Sequence, residues 1–154
     1  LKEVLMLDSF NIASTGLSAQ RLRMDVIANN IANANTTRTP EGGAYQRKMV
    51  IFRTYDEQPQ FLSPFTPPGF EQSSGKGVKV VKIESDSSPF RLVWDPNHPD
   101  AIQSGPKKGY VLMPNVNIVK EMTDLISASR SYEANSVVIT NAKQLYMRSI
   151  DMLK

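Results

Sequence analysis

All ten prolines of this 154-residue chain lie between Pro40 and Pro114, and seven of its eight glycines lie between Gly42 and Gly109. The flanks, 1–33 and 115–154, hold no proline and a single glycine, Gly16. Proline removes a helix hydrogen bond and clashes with the preceding turn, and both residues punctuate turns. This distribution divides the chain into a helix, an irregular and strand-rich middle, and a second helix. The expected fold class is α+β. Its discontinuous helical domain is built from 1–33 and 115–154, and a small β-rich, Pro/Gly-rich domain spans 34–114.

The apolar pattern of each flank says how it must be packed. The first helix is expected over Asp8 to Asn33, with Asp8 or Ser9 as cap. At ~100° per residue its apolar groups form two stripes. One holds Ala13, Leu17, Met24, Ile27, Ala28 and Ile31, and the other Ile12, Ala19, Leu22 and Val26. A helix lying on one core needs one stripe, so two imply neighbours on two sides. The second helix is expected from Asn117 to Leu153. Leu125, Tyr132, Ile139, Tyr146 and Leu153 recur every seventh residue, with small or short partners at Ala128, Asn135, Ala142 and Ser149. A second line runs through Val138, Leu145 and Met152. Sustained heptads predict a coiled coil, and the small residues allow close approach of another helix.

In the middle, "AYQRKMVIFRTY" (44–55), "GVKVVKIES" (77–85) and "PFRLVWD" (89–95) read as strands. Val80 and Ile83 are expected to face inward, and the last two strands could pair as a hairpin across "SDSSP". The region near 58–77 reads as an extended loop anchored by Phe61, Phe65 and Phe70.

Several function classes are disfavoured. The charge is +3 overall and evenly spread, with three basic and three acidic groups in 1–33, ten and eight in 34–114, and five and four in 115–154. Nucleic-acid binding needs a basic stripe that is missing here. No apolar run approaches a membrane span, and the start, "LKEVLMLDSFNIAS", is too short and too charged for a signal-peptide core, so no membrane insertion and no cleaved signal are expected. The absence of cysteine excludes disulfides, thiolate metal sites and a cysteine nucleophile. His98 with Asp95 and Asp100 falls short of a metal-ligand set. The His98-Pro99-Asp100 tripeptide matches that of J-domain cochaperones, but it follows a strand rather than joining two helices, and a turn is the simpler reading. No catalytic constellation, cofactor or metal is predicted.

Two polar features remain. Arg130 and Glu133 form an i,i+3 pair of opposite sign, read equally as a solvated surface pair or as a register contact between packed helices. "VIANNIANANTT" (26–37) gathers Asn29, Asn30, Asn33 and Asn35 at a helix end. Asn33 and Asn35 can terminate the helix in the left-handed conformation. Asn29 and Asn33 lie one turn apart on one face, where buried amides set register and select partners.

These residues also carry a resemblance. "STGLSAQRLRMDVIANNIANANTT" resembles the N-terminal signature of bacterial flagellar rod and hook proteins, and "MPNVNIVKEMTDLISASRSYEANSVVITNAKQLYMRSIDML" (113–153) resembles their C-terminal signature. Three stretches, "ANTTRTPEGGAYQRK", "DPNHPDA" and "GYVLMPNVN", are similar to a proximal-rod subtype. The resemblance covers roughly 1–55 and 94–154. It implies a structural subunit that is not an enzyme, exported without signal cleavage by the flagellar type III apparatus. Such a subunit stacks helically with copies of itself and other rod proteins into a torque-transmitting shaft. The paired terminal helices form the inner layer. Carried onto this chain, the assembly contacts are Leu17, Asn29, Asn30, Ile31, Asn33, Asn35, Glu121, Arg130, Tyr132, Glu133, Asn135, Ile139 and Tyr146. The alternative is a soluble adaptor or export-associated module that uses the same helices to bind one partner.

Overall fold

The computed structural model describes the backbone of residues 2–55 and 77–151 and, within them, side chains from Ser9 onward. Two long helices frame two small antiparallel sheets. The elements are α1 (Lys2–Ala32), β1 (Lys48–Thr54), β2 (Val78–Ser85), β3 (Arg91–Trp94), β4 (Tyr110–Met113) and α2 (Ile118–Asp151). The loop expectation for 58–77, with its three phenylalanines, lies outside the described residues apart from Gly77.

Helix α1 begins six residues before the anticipated cap, so Asp8 and Ser9 lie inside it. Nothing between Lys2 and Asp8 breaks a helix, and Leu, Lys, Glu and Met all favour one. Its other end also differs from expectation. No described residue other than glycine has a positive φ, so neither Asn33 nor Asn35 takes the left-handed position. The helix instead winds down through tight i,i+3 turns, with Ala34 N–H donating to Ile31 O at 3.2 Å and Thr36 N–H to Asn33 O at 3.1 Å. Helix α2 starts where expected. Asn117 is its cap, its side-chain oxygen accepting the Lys120 N–H at 3.2 Å and its carbonyl the Glu121 N–H at 2.9 Å.

The helices run antiparallel, as three facing pairs show: Gly16 with Asn135, Arg23 with Asp124 and Asn30 with Glu121. A Cβ on Gly16 would lie 3.0 Å from Asn135 Nδ2, so alanine, which is favoured by about 0.5–1 kcal/mol in a helix interior, would here require the Asn135 amide to shift. Helix α1 also packs against both β1 and β2. The neighbours demanded by its two stripes are therefore α2 and a β-ribbon.

That ribbon corrects the predicted hairpin. β2 pairs with β1, Lys48 opposite Ser85 through Thr54 opposite Val78, and β3 pairs with β4, a strand the propensity reading missed. The turn after β2 is closed by Asp86, whose carboxylate accepts the Ser88 N–H and hydroxyl at 2.9 and 2.6 Å. The Asn115 amide holds the Asp86 and Ser88 carbonyls, at 3.0 and 3.1 Å, and turns the chain away from the ribbon. In the ribbon, Ile51 faces Lys82 and Phe52 faces Val80, leaving Val81 as the extra residue of a bulge. The bulge sets Val80 and Ile83 on one face despite their odd spacing, but only Val80 is half-buried, while Ile83 remains 47% exposed.

The ribbon is joined to α1 at Gly77 and Val78. The Thr15 hydroxyl donates to Ile12 O at 2.7 Å and accepts the Val78 N–H at 3.2 Å. Gly77 has φ +97°, and any Cβ there would meet the Thr15 hydroxyl. Gly77→Ala should therefore lower stability by about 2 kcal/mol or more, read as a shift in the urea midpoint.

The core is lean. Among the described residues the buried apolar groups are few and small, chiefly alanines with Ile27, Tyr45 and Val111. Two of the most completely buried side chains are polar, Glu121 at 0% and Asn30 at 1% exposure.

Candidate assembly interface

Asn30 lies on the last turns of α1, where the helix meets the start of β1. Its amide uses its full hydrogen-bonding capacity. The side-chain oxygen accepts the Tyr45 hydroxyl at 3.0 Å and the Lys48 N–H at 2.9 Å. The nitrogen donates to Lys48 O at 2.8 Å and to Glu121 Oε2 at 2.9 Å. By engaging both the N–H and the C=O of Lys48, the amide treats the first residue of β1 as a neighbouring strand would.

Glu121 sits in the first turn of α2, where the helix dipole favours a carboxylate. Its other oxygen accepts Arg47 Nε at 2.6 Å. The same guanidinium reaches Asp86 at 3.3 Å and Asp124 at 3.8 Å, and Asp124 also pairs with Arg23 at 3.6 Å. Asn115, just after β4, accepts the Arg47 backbone N–H at 2.7 Å. One polar node thus joins α1, the segment before β1, the turn after β2, the exit of β4 and α2. Beside it opens a cleft of about 270 Å³ whose apolar floor includes Val26, Ile27, Val50 and Phe52.

The node's electrostatics are consistent with its role. Burial would weaken the Arg47 cation, but hydrogen bonds and charges from Glu121 and Asp86 hold its pKa above the ordinary arginine value. Burial, then the Glu121 charge, raises the Tyr45 phenol. The Ser88 hydroxyl and N–H, and then Arg47, lower the Asp86 carboxyl. The sign for Asp86 follows. A lowered folded pKa contributes stability above the unfolded value of about 3.9, which is lost as pH falls through the folded value. Tyr45 is the reverse: its contribution is present below about pH 10 and is lost as pH rises through the raised value. Urea midpoints should fall at both extremes. Tyr45→Phe should shrink the alkaline fall at a loss of about 1 kcal/mol near neutrality, and Ser88→Ala should shrink the acid one.

The sequence-predicted contacts divide by location. Asn30 and Glu121 are the buried pair just described. Asn29 and Asn33 do not join them. Asn33 Nδ2 donates to Asn29 Oδ1 at 2.7 Å and to its carbonyl at 3.0 Å, a local pair on the outer side of α1, and Asn35 is exposed. Leu17 and Ile31 are half-buried on α1. Tyr132, Asn135 and Ile139 are half-buried on the face of α2 that carries buried Ala128 and lies against α1, while Tyr146 is 50% exposed. Of the second line, Val138 and Leu145 are exposed, and Met152 lies outside the described residues. Arg130 and Glu133 are both exposed and do not pair with each other, Glu133 instead accepting the Ser129 hydroxyl at 3.5 Å. His98, Asp95 and Asp100 hold a turn: His98 Nδ1 accepts the Asp100 N–H at 3.1 Å, Asp95 accepts the Asn97 N–H at 3.2 Å, and Asp100 accepts the Thr37 hydroxyl at 2.8 Å. The sequence reading did not single out Tyr45, Arg47, Asp86 or Asn115. The one available signal for Asn115 was its place in "MPNVN".

Opposite the α1-facing side, α2 presents a second apolar surface. Val119 (74% exposed), Met122 (55%), Ile126 (57%) and Val137 (57%) fall within ~60° of one another at ~100° per residue. Only Glu121 and Ala128 are buried on this helix. Among the described residues, no helix is long and apolar enough to cross a membrane.

Two family models match the two helical ends. Residues 10–38 match "flagella basal body rod protein", and 107–152 match the C-terminal model of "flagellar basal body rod FlgEFG protein". The chain is similar throughout to the flagellar basal-body rod proteins FlgC of Borreliella burgdorferi (53% identity, 97% of this chain and 98% of that one) and Bacillus subtilis (41%, 95% and 97%). The FlgC of Yersinia enterocolitica is 40% identical over 96% of this chain and 97% of its own. On near-full-length identity of this order, the chain belongs to the FlgC family of flagellar basal-body rod proteins.

Proposed function

We propose that the chain is a structural subunit of the proximal part of the flagellar rod, self-assembling helically into the shaft that transmits torque for motility. The observation that carries this reading is the outer apolar face of α2. Scattered apolar surface residues need no explanation, but Val119, Met122 and Ile126 form one exposed apolar patch on the first turns of α2, and Val137 continues the same face beyond the charged Arg130 and Glu133. Such a surface is covered in an assembly. The heptad face toward α1 supports a coiled-coil-like inner layer built from 1–33 and 115–154, with 34–114 outside it. The partners are copies of the chain and other rod proteins, and the flagellar type III apparatus delivers it. The reading requires no catalysis, cofactor or metal. Full-length similarity to rod proteins favours it over a soluble adaptor.

Ile126→Asp and Val137→Asp test it. Both positions are exposed in the single chain, so each change should move the stability of the purified protein by no more than about 0.5 kcal/mol. In cells dependent on this chain, rods should fail to assemble and swimming should stop. Wild-type swimming with either variant would remove the proposal.

A further inference from the structure

Among the described residues, side chains of α1 hydrogen-bond to the β1–β2 ribbon at two places, one of them in the polar node, and their spacing is matched. The first is Thr15, which holds the Val78 N–H opposite the end of β1. The second is Asn30, which holds both backbone groups of Lys48 at the beginning of β1. Fifteen helical residues span roughly 22 Å at ~1.5 Å each. The six steps from Lys48 to Thr54 span roughly 20 Å at ~3.4 Å each. The ribbon is therefore fastened to the helix at both ends of its length, so that it can neither slide along α1 nor pivot on one point. Glu121 and Asp124 extend the fastening to α2, and Arg47 closes it, since its three nitrogens reach three carboxylates, two on α2 and one in the turn after β2.

We propose that this arrangement is a strut coupling the helix pair rigidly to the ribbon, with Arg47 as its positioning residue. Force on the α1–α2 layer then reaches the β-rich part of the subunit without shear between them. This rests on the rod reading and adds a role for residues largely buried within the subunit. Lysine at 47 would keep the charge but not the planar fork, so it could not meet all three carboxylates in the same geometry. The fastening would loosen while the fold survives. Arg47→Lys is compared with Val111→Ala, which weakens the other sheet at a buried site without touching the node.

On purified full-length protein, hydrogen exchange should accelerate by about tenfold in Arg47→Lys at the start of β1, at its partner strand and in the first turns of α2 together. Val111→Ala should leave these amides unchanged. In cells dependent on the variant, Arg47→Lys should assemble rods in normal number yet lose at least about half of its swimming speed in viscous medium, where torque is high; Val111→Ala should not. Acceleration confined to the residues next to position 47, or an equal loss of speed under load in the two variants, would overturn the strut. If even the wild-type chain fails to restore swimming while the exchange pattern is as described, the rod reading and the force-bearing role fail together, and only the rigid fastening through Arg47 stands.

Discussion

Replacing Asn30 by aspartate should destabilise the chain by about 3–5 kcal/mol at neutral pH, the range expected for an uncompensated buried charge. The two side chains are nearly isosteric, so packing does not change. What changes is the donor. Asn30 Nδ2 points at Glu121 Oε2 and at Lys48 O. An aspartate there would set a carboxylate oxygen against a carboxylate and a carbonyl. The amide cannot be mimicked by turning it over, because the opposite oxygen is held by the Tyr45 hydroxyl and the Lys48 N–H. Protonating the introduced carboxyl would restore a donor, so the defect should shrink as pH is lowered toward about 5. Asn29→Asp and Asn33→Asp lie on the outer side of α1 and should change the isolated chain by no more than about 0.5 kcal/mol. Urea titrations of the three variants at two pH values check all of this. Equal effects at positions 29, 30 and 33 would contradict the structure.

The ion pair below Asn30 should behave asymmetrically. Arg47→Leu leaves Glu121, wholly buried, with only the Asn30 amide, and should lose about 3–5 kcal/mol. Glu121→Leu leaves Arg47 with Asp86 and Asp124 and a route toward solvent, so its loss should be smaller. In the Arg47→Leu background, Glu121→Leu should therefore be stabilising, because it removes a stranded charge. A coupling of about 1–3 kcal/mol in the double-mutant cycle is expected, measured by urea unfolding. Additive losses would mean that the two groups do not share one site.

How much of this was legible without coordinates differs by element. The two helices were, because proline-free flanks with two apolar stripes and a heptad line leave little else for the chain to do. The heptad positions Leu125, Tyr132 and Ile139 do lie on the side of α2 that meets α1. The three strand segments were found, but their pairing was not. Strand propensity is local, whereas pairing is decided by Asp86 and Asn115, which close one turn and redirect the chain. The fourth strand, Tyr110–Met113, is only four residues long and sits inside a motif that was read for its resemblance.

The polar node shows the same limit more sharply. Asn30 and Glu121 were both named as contact residues, but nothing in the sequence joined them across 91 positions or added Arg47, Asp86 and Asn115. Asparagine, arginine and glutamate are ordinary surface residues until a fold buries them, and burial depends on which segments meet. The sequence alone determined that this is a two-helix protein with an irregular β-rich middle and a first helix that needs neighbours on two sides. Periodicity and proline placement are written along the chain itself. Only the tertiary structure decided which of four clustered asparagines is the structural one. That choice turns on a few ångströms of approach between α1, the start of β1 and the first turn of α2, where a donor facing a buried carboxylate is required and its neighbours are free to face outward.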